Sequence, residues 1–505
     1  MGWIPFPAIR CPLQSPFASI RFYLFSNIKH THFFDVITRS SFRSAKTDDE
    51  YDYPDDLPQV KLNRFRSFRA MEASAALGVP GEDLYMSTMF CQLWKELRAH
   101  SVEKLRMSYT HPMDDGQSRA FKVKFEGEGV DDYGGPYREV FQKICEELQA
   151  PDHSSPTPIT ATEKSDSPAT FKCFIPLLLQ TPNWASSSDD CEERYKYIFN
   201  PSSSSPLHMD LYTFLGQFVG LAVRSKITID LPLPSVIWKM VLREPLNVDD
   251  IASFDVSAAS FVTHLDLMQA VLPSGSDDSS SPLLEELESL IQDLSWTVVR
   301  SDGRTVELVE GGSTKSVTID NLGYYLSLCV QARLLECAPA VESFRNGFLS
   351  VIPESALTLL CWYDLKQIVC GADSIDVSRL QENTEYDDDV TPDDAHIVAF
   401  WDVLTNNFTE EEKVMFLRFV WARPSLPPRG AEFSQKLKIQ SAVGEDSDLK
   451  PDQYLPKAHT CFFSINLPRY STKEVLADRL RYAIRNCTEM DADFRLTDAD
   501  VAGWT

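Results

Sequence analysis

Three neighbouring residues near the C-terminal end, His459, Thr460 and Cys461, have types and spacing suited to nucleophilic chemistry. They sit in YLPKAHTCFFSINLPRY, Tyr454 to Tyr470, where a proline-marked polar loop runs into an apolar alternation. A thiolate is the form of cysteine that attacks, and a nearby imidazole stabilises it. In an extended chain residues i and i+2 leave the same face, which would set His459 beside Cys461. Pro451 and Pro456 precede the pair, so the cysteine is expected at the mouth of a strand. The competing reading of Cys461 is a half-buried strand cysteine. His459 reads equally as a surface hydrogen-bonding residue, and Thr460 as a β-branched strand former.

The other ten cysteines, at 11, 91, 145, 173, 191, 329, 337, 361, 370 and 487, lack this context. None forms a C-x-x-C pair or a zinc-like cluster with histidines, and their odd total fits free thiols in a reducing compartment. A net charge of −26 over 505 residues argues against nucleic acid as a main partner, because phosphate binding needs clustered Lys and Arg. The bland reading of that charge is a solvated acidic surface. The most apolar segment, GFLSVIPESALTLLCWYD, carries Pro353, Glu354 and Asp364, so no membrane span is expected.

The elements that must position the cysteine are mostly helical. Ile397, Trp401, Leu404 and Phe408 recur on one helical face, and Thr409 with Glu412 forms a capping box for the next helix. Two β-rich runs flank Asp302-Gly303, a hairpin signal, and 121–130 reads as a strand ending in glycines. Ser/Pro/Asp-rich stretches at 150–170, 200–206, 273–282 and 384–394 read as surface loops. Residues 1–64 are expected to be a disordered or ill-defined lead: their first 46 hold six basic residues and one acid, resembling a transit peptide interrupted by prolines. ARPSLPPRG, 422–430, stops a helix with Pro424, Pro427 and Pro428 and is expected to be a hinge. A unit of about 75 residues follows it. There Ser471 and Glu474 are expected to cap a last helix, with Leu476, Leu480, Ala483 and Cys487 on one face.

Several ordered motifs resemble the HECT-type ubiquitin ligases. Leu455, Pro456, Ala458, His459, Thr460, Cys461, Phe462, Leu467, Pro468 and Tyr470 match the family's cysteine loop. More than 300 residues upstream, Phe125, Glu126, Gly127, Gly129, Asp131, Gly134, Gly135, Arg138 and Glu139 match a first-lobe motif. Segments 211–233 and 346–371 are similar to the family's middle, and the resemblance spans about 65–495. It implies an α+β, bilobal fold: an N-lobe over 65–421, a docking subdomain near 253–319, the hinge, and a C-lobe over 431–505.

The resemblance further implies that Cys461 takes ubiquitin from a conjugating enzyme as a thioester and passes it to lysines of protein substrates. No cofactor or metal is implied. A conjugating enzyme would dock on Leu290, Ile291, Leu294 and Trp296, and Phe494 would orient the small lobe, although eleven further residues follow it. A carboxylate to accept the lysine proton would be sought among Asp446, Asp448, Asp452, Asp491 and Asp493. Arg138 and Glu139 read as structural salt-bridge or inter-lobe residues. The expected location is cytoplasmic, with the nucleus as a second site. A catalytically inactive ubiquitin-binding scaffold of the same fold is one alternative, and a Cys461/His459 hydrolase is another.

Overall fold

A computed structural model describes residues 20–42, 53–77, 82–111, 118–128, 135–152, 172–186, 191, 193–271, 282–387, 390–421, 423, 425–427, 433, 435–441 and 451–486. The side chain of Cys461 lies outside this description; its backbone lies within it.

Three apolar cores divide the described chain. The first runs from Phe33 to Val369. Its centre is the contact between helices Pro206–Arg224 and Ala338–Val351. Their backbones touch because both carry a glycine at the crossing: a Cβ on Gly347 would sit 1.7 Å from the Thr213 carbonyl oxygen, and one on Gly216 1.9 Å from that of Phe344. Helix Gly135–Gln149 packs on the same core through Tyr137, Phe141 and Ile144. Strand Lys122–Phe125 precedes it, as the alternation indicates, and pairs in parallel with Gln59–Leu62.

Residues 1–64 are not uniformly an ill-defined lead. Helix Ser26–Arg39 buries Phe33 and Ile37 in the first core. Lys29 forms a buried ion pair with Asp364 at 2.7 Å, and Arg224 donates to the carbonyl of Ile37 and to Ser40 and Ser41. The basic, acid-poor composition that suggested a lead supplies a partner for a buried aspartate 335 residues away. Residues 1–19 lie outside the described residues.

A second core runs from Ile375 to Ile484 and overturns the expected hinge. Helices Val377–Glu382, Ala395–Asp402 and Glu410–Trp421, assigned above to the large lobe, share this core with helix Lys473–Asn486. Strand Thr384–Tyr386 falls inside the stretch read as a loop and opens a four-stranded sheet. It continues through Leu437–Ser441 and Ser464–Leu467 to Lys457–His459, with two parallel pairings and then an antiparallel one. The chain therefore passes between cores at about 371–374, and the described part of the proline segment, 423 and 425–427, belongs to the small lobe. Pro427 is buried there, with its carbonyl accepting from Arg379; Pro424 and Pro428 lie outside the described residues. Ser425 donates to the Cys370 carbonyl at 2.6 Å, and Ala372 N donates to that of Leu426 at 3.2 Å, so the proline segment is strapped across the true crossover.

Two local expectations need adjustment. The helix carrying Ile397 and Trp401 closes in a π-turn, Val403–Asn407, although all four face residues are buried. Thr472, not Ser471, caps the last helix through Val475 N; Ser471 instead donates to Asp452. The Thr409–Glu412 box forms as read, with reciprocal bonds of 3.2 Å.

The third core, Leu265 to Cys329, is a small subdomain of helices Val256–Val271, Pro282–Ile291 and Ile319–Leu334 around the hairpin Thr297–Val299/Thr305–Glu307. None of the described helices is long and apolar enough to cross a membrane.

Candidate active site

Cys461 lies in the four-residue connection between strands Lys457–His459 and Ser464–Leu467, which pair with Ser464 opposite His459. That connection is a single 3-10 turn, Thr460–Phe462, followed by Phe463 in the left-handed region at φ 47, ψ 56. The extended spacing assumed for His459 and Cys461 therefore ends at His459, where the strand stops. The i, i+2 rule no longer places both side chains on one face, and His459 itself is exposed.

The turn is held from both lobes. Arg138, in the first turn of helix Gly135–Gln149, donates from Nη1 to the Thr460 carbonyl oxygen at 2.9 Å across 322 residues of sequence. Its neighbour Glu139 pairs with Arg64, which also binds Glu128. The two motif residues thus divide into one inter-lobe contact and one ion pair internal to the large lobe. From the small lobe, the ring of Phe463 stacks on Trp421 at 4.1 Å, nearly parallel at 6°. The Arg423 guanidinium lies 4.2 Å from the same indole. Arg423 is 3% exposed; burial and the charge of Arg138 push its pKa down to about 9.

Beside this contact, a cavity of about 260 Å³ is lined by Arg138, Gln142, Glu146, Gln149, Asp230 and Arg418. Arg418 of the small lobe pairs across it with Asp230 of the large lobe.

Among the described residues, seven other thiols are poor competitors for nucleophilic attack. Burial raises the pKa of Cys91, Cys173 and Cys370 to about 12 and that of Cys329 to about 11. Cys145, Cys337 and Cys361 are raised for the same reason. Raised values suppress the thiolate at neutral pH.

Of the carboxylates considered for proton transfer, Asp452 accepts from Ser471 N at 2.8 Å and Oγ at 2.6 Å, which ties it to the start of the last helix. Asp446, Asp448, Asp491 and Asp493 lie outside the described residues, as does Phe494.

The docking residues separate by burial. Trp296 is 7% exposed, its ring edge-on to Tyr325 and its Nε1 donating to the Ser316 carbonyl at 3.2 Å. Ile291 is buried and Leu294 half-buried, both against the same core. Trp296 and Ile291 are therefore core residues, whereas Leu290 is 40% exposed. Sequence reading missed Phe261, Leu267, Val271 and Tyr324, which are also exposed on this subdomain. An open groove of about 610 Å³ is lined by Phe261 together with Leu294, Val298, Val299 and Tyr325. The missed residues alternate with buried ones on helices that are apolar nearly all round, so periodicity does not mark the outward face.

Comparison with known proteins agrees with this geometry. The HECT-domain (ubiquitin-transferase) family matches residues 172–493. The E3 ubiquitin-protein ligase HERC2 of Mus musculus is 30% identical over 439 residues, 86% of this chain and 8% of that protein. The probable E3 ubiquitin-protein ligase HECTD4 of Homo sapiens is 27% identical over 420 residues, 79% of the chain and 10% of HECTD4. The E3 ubiquitin-protein ligase HACE1 of Danio rerio is 31% identical over 296 residues, 57% of the chain and 30% of HACE1. The chain thus spans less than a third of the length of each of these relatives. With the family match covering residues 172–493, more than half of its length, the chain belongs to the HECT-domain (ubiquitin-transferase) family.

Proposed function

We propose that this chain is the catalytic part of a ubiquitin-protein ligase that carries ubiquitin as a thioester on Cys461. The observation that carries the reading is the Thr460–Phe462 turn, pinned by Arg138 from the opposite lobe. In the first step the Cys461 thiolate attacks the thioester carbonyl of a charged conjugating enzyme. A new S–C bond forms, and the conjugating enzyme's cysteine leaves as thiolate. One thioester replaces another, so the step is close to balanced and needs a thiolate more than a strong base. In the second step a substrate lysine amine attacks, the amide forms, Cys461 leaves as thiolate, and the amine's proton passes to a base or water.

The conjugating enzyme is assigned to the exposed apolar set Phe261, Leu267, Val271, Leu290 and Tyr324 on the third-core subdomain. The thiol chemistry suits a reducing compartment, and we place the protein in the cytoplasm or nucleus.

The test is incubation with activating enzyme, a panel of conjugating enzymes and ubiquitin. A reducible ubiquitin adduct supports the ligase. No adduct with any conjugating enzyme favours the inactive scaffold, and cleavage of ubiquitin chains favours the hydrolase.

A further inference from the structure

The residue that turns the chain out of the cysteine loop is the wrong type for its backbone. Phe463 has φ 47, in the left-handed region that disfavours a non-glycine residue, and hairpins normally place Gly or Asn there. Among the described residues only Lys226 and Arg243 are the other non-glycine residues at positive φ, and both have flexible side chains. A bulky residue held in this region is an outlier that its surroundings must over-determine.

Those surroundings are continuous. The Phe463 ring is fully buried and lies 4.1 Å from Trp421. Trp421 stacks in turn with Phe433 at 5.9 Å and 3°, its Nε1 donates to Gln435 at 3.1 Å, and the Arg379 guanidinium lies 5.0 Å from Phe433. The backbone is held as well: Lys438 N donates to the Phe463 carbonyl at 2.9 Å. One residue upstream, Phe462 is 54% exposed, so the turn changes from solvent-facing to fully buried across one peptide bond.

We propose that Phe463 is a positioning residue, whose stack on Trp421 fixes the Thr460–Phe462 turn and so holds the backbone of Cys461 in place at the lobe junction. This rests on the reading of Cys461 as the nucleophile. A glycine or asparagine would satisfy the backbone alone; the ring fixes the orientation of the turn. Placement matters because misplacing a reacting atom by about 1 Å can cost on the order of a hundredfold in rate.

The test compares Phe463→Asn, Phe463→Leu and Phe463→Tyr with the parent, in the full chain, at a temperature where circular dichroism shows each folded. Asn accepts the left-handed backbone and deletes the stack; Leu keeps the apolar filling without a ring; Tyr keeps the ring. The first readout needs no ubiquitin: the pH profile of iodoacetamide alkylation, followed on the Cys461 peptide by mass spectrometry. Loosening the turn draws it away from the Arg138 guanidinium. Asn and Leu should therefore alter the alkylation profile and slow alkylation at neutral pH at least about threefold, while Tyr keeps the parent profile. The second readout is ubiquitin loading. For Asn and Leu, kcat should fall at least about tenfold with KM for the charged conjugating enzyme unchanged, because docking lies on another subdomain. Profiles for Asn and Leu matching the parent would overturn the proposal, since backbone geometry would then suffice. If Asn does not fold, Leu against Tyr decides. A parent that takes no ubiquitin would refute the ligase reading, and the alkylation comparison would still judge Phe463.

Discussion

At the scale of single residues, burial decides which ionisable groups remain available for chemistry and which tune stability. Glu147 shows the second case. Its carboxylate is fully buried and accepts from Ser67 and from the backbone N–H groups of Met89 and Phe90 at the start of helix Met89–Leu97. Burial outweighs these donors and raises its pKa to about 7 from an ordinary 4.5. A carboxyl whose folded pKa exceeds its unfolded value stabilises most below the unfolded value. Its contribution is lost as pH rises through the folded one. Stability should thus fall by up to about 3 kcal/mol between pH 4.5 and 7, at 1.36 kcal/mol per unit. Glu147→Gln should flatten that slope in a series of melting temperatures; an unchanged slope would show that another group titrates there. The cysteine loop was legible in the sequence because its residues are contiguous. Arg138 on Thr460 was legible only as a general inter-lobe role, because nothing local in the chain names a carbonyl 322 residues away.

Among the elements, the third-core subdomain separates docking from packing. Leu290→Ala should slow ubiquitin loading and leave the melting temperature nearly unchanged. Trp296→Ala should cost about 3–5 kcal/mol of stability, as for other buried aromatic truncations. Measuring melting temperature and loading rate on both variants checks the division. A Leu290→Ala variant that loads like the parent would move the docking surface elsewhere. The crossover makes a second case. Gly371 has φ +82, and a Cβ there would lie 1.9 Å from Ser425 Oγ and 2.9 Å from the Leu426 carbonyl oxygen. Gly371→Ala should therefore destabilise by more than about 1 kcal/mol in denaturant unfolding, both through the backbone and by pushing the 425–427 strap away. The sequence offered a false boundary at 422–430 because clustered prolines mark connectors wherever they occur. The true crossover looks like an ordinary helix end, Cys370 followed by a glycine. What disguised it was the parallel pairing of Thr384–Tyr386 with Leu437–Ser441, a non-local contact that no periodicity reports.

Across the whole molecule, the account requires docking on one lobe, chemistry on the other, and a junction that holds the cysteine turn while permitting release. Arg418–Asp230 and Arg138–Thr460 are cross-junction contacts. Both partners of the first remain substantially exposed, so salt should screen it. Arg418→Ala should widen the distribution of lobe separations seen by energy transfer between labels on the two lobes. The parent should approach that distribution as salt is raised, and identical distributions at low salt would show that the Arg418–Asp230 pair does not hold the lobes together. The bilobal α+β class was readable from ordered motifs, whereas the division of helices between lobes was not, since the same apolar face can pack on either core. The central claim is that Cys461 alone carries ubiquitin, and the most direct measurement locates the adduct on the loaded protein by mass spectrometry. The account predicts a reducible adduct on the Cys461 peptide, abolished by Cys461→Ala and converted to a reductant-resistant ester by Cys461→Ser. An adduct that survives Cys461→Ala but disappears with Cys370→Ala or Cys487→Ala would contradict it.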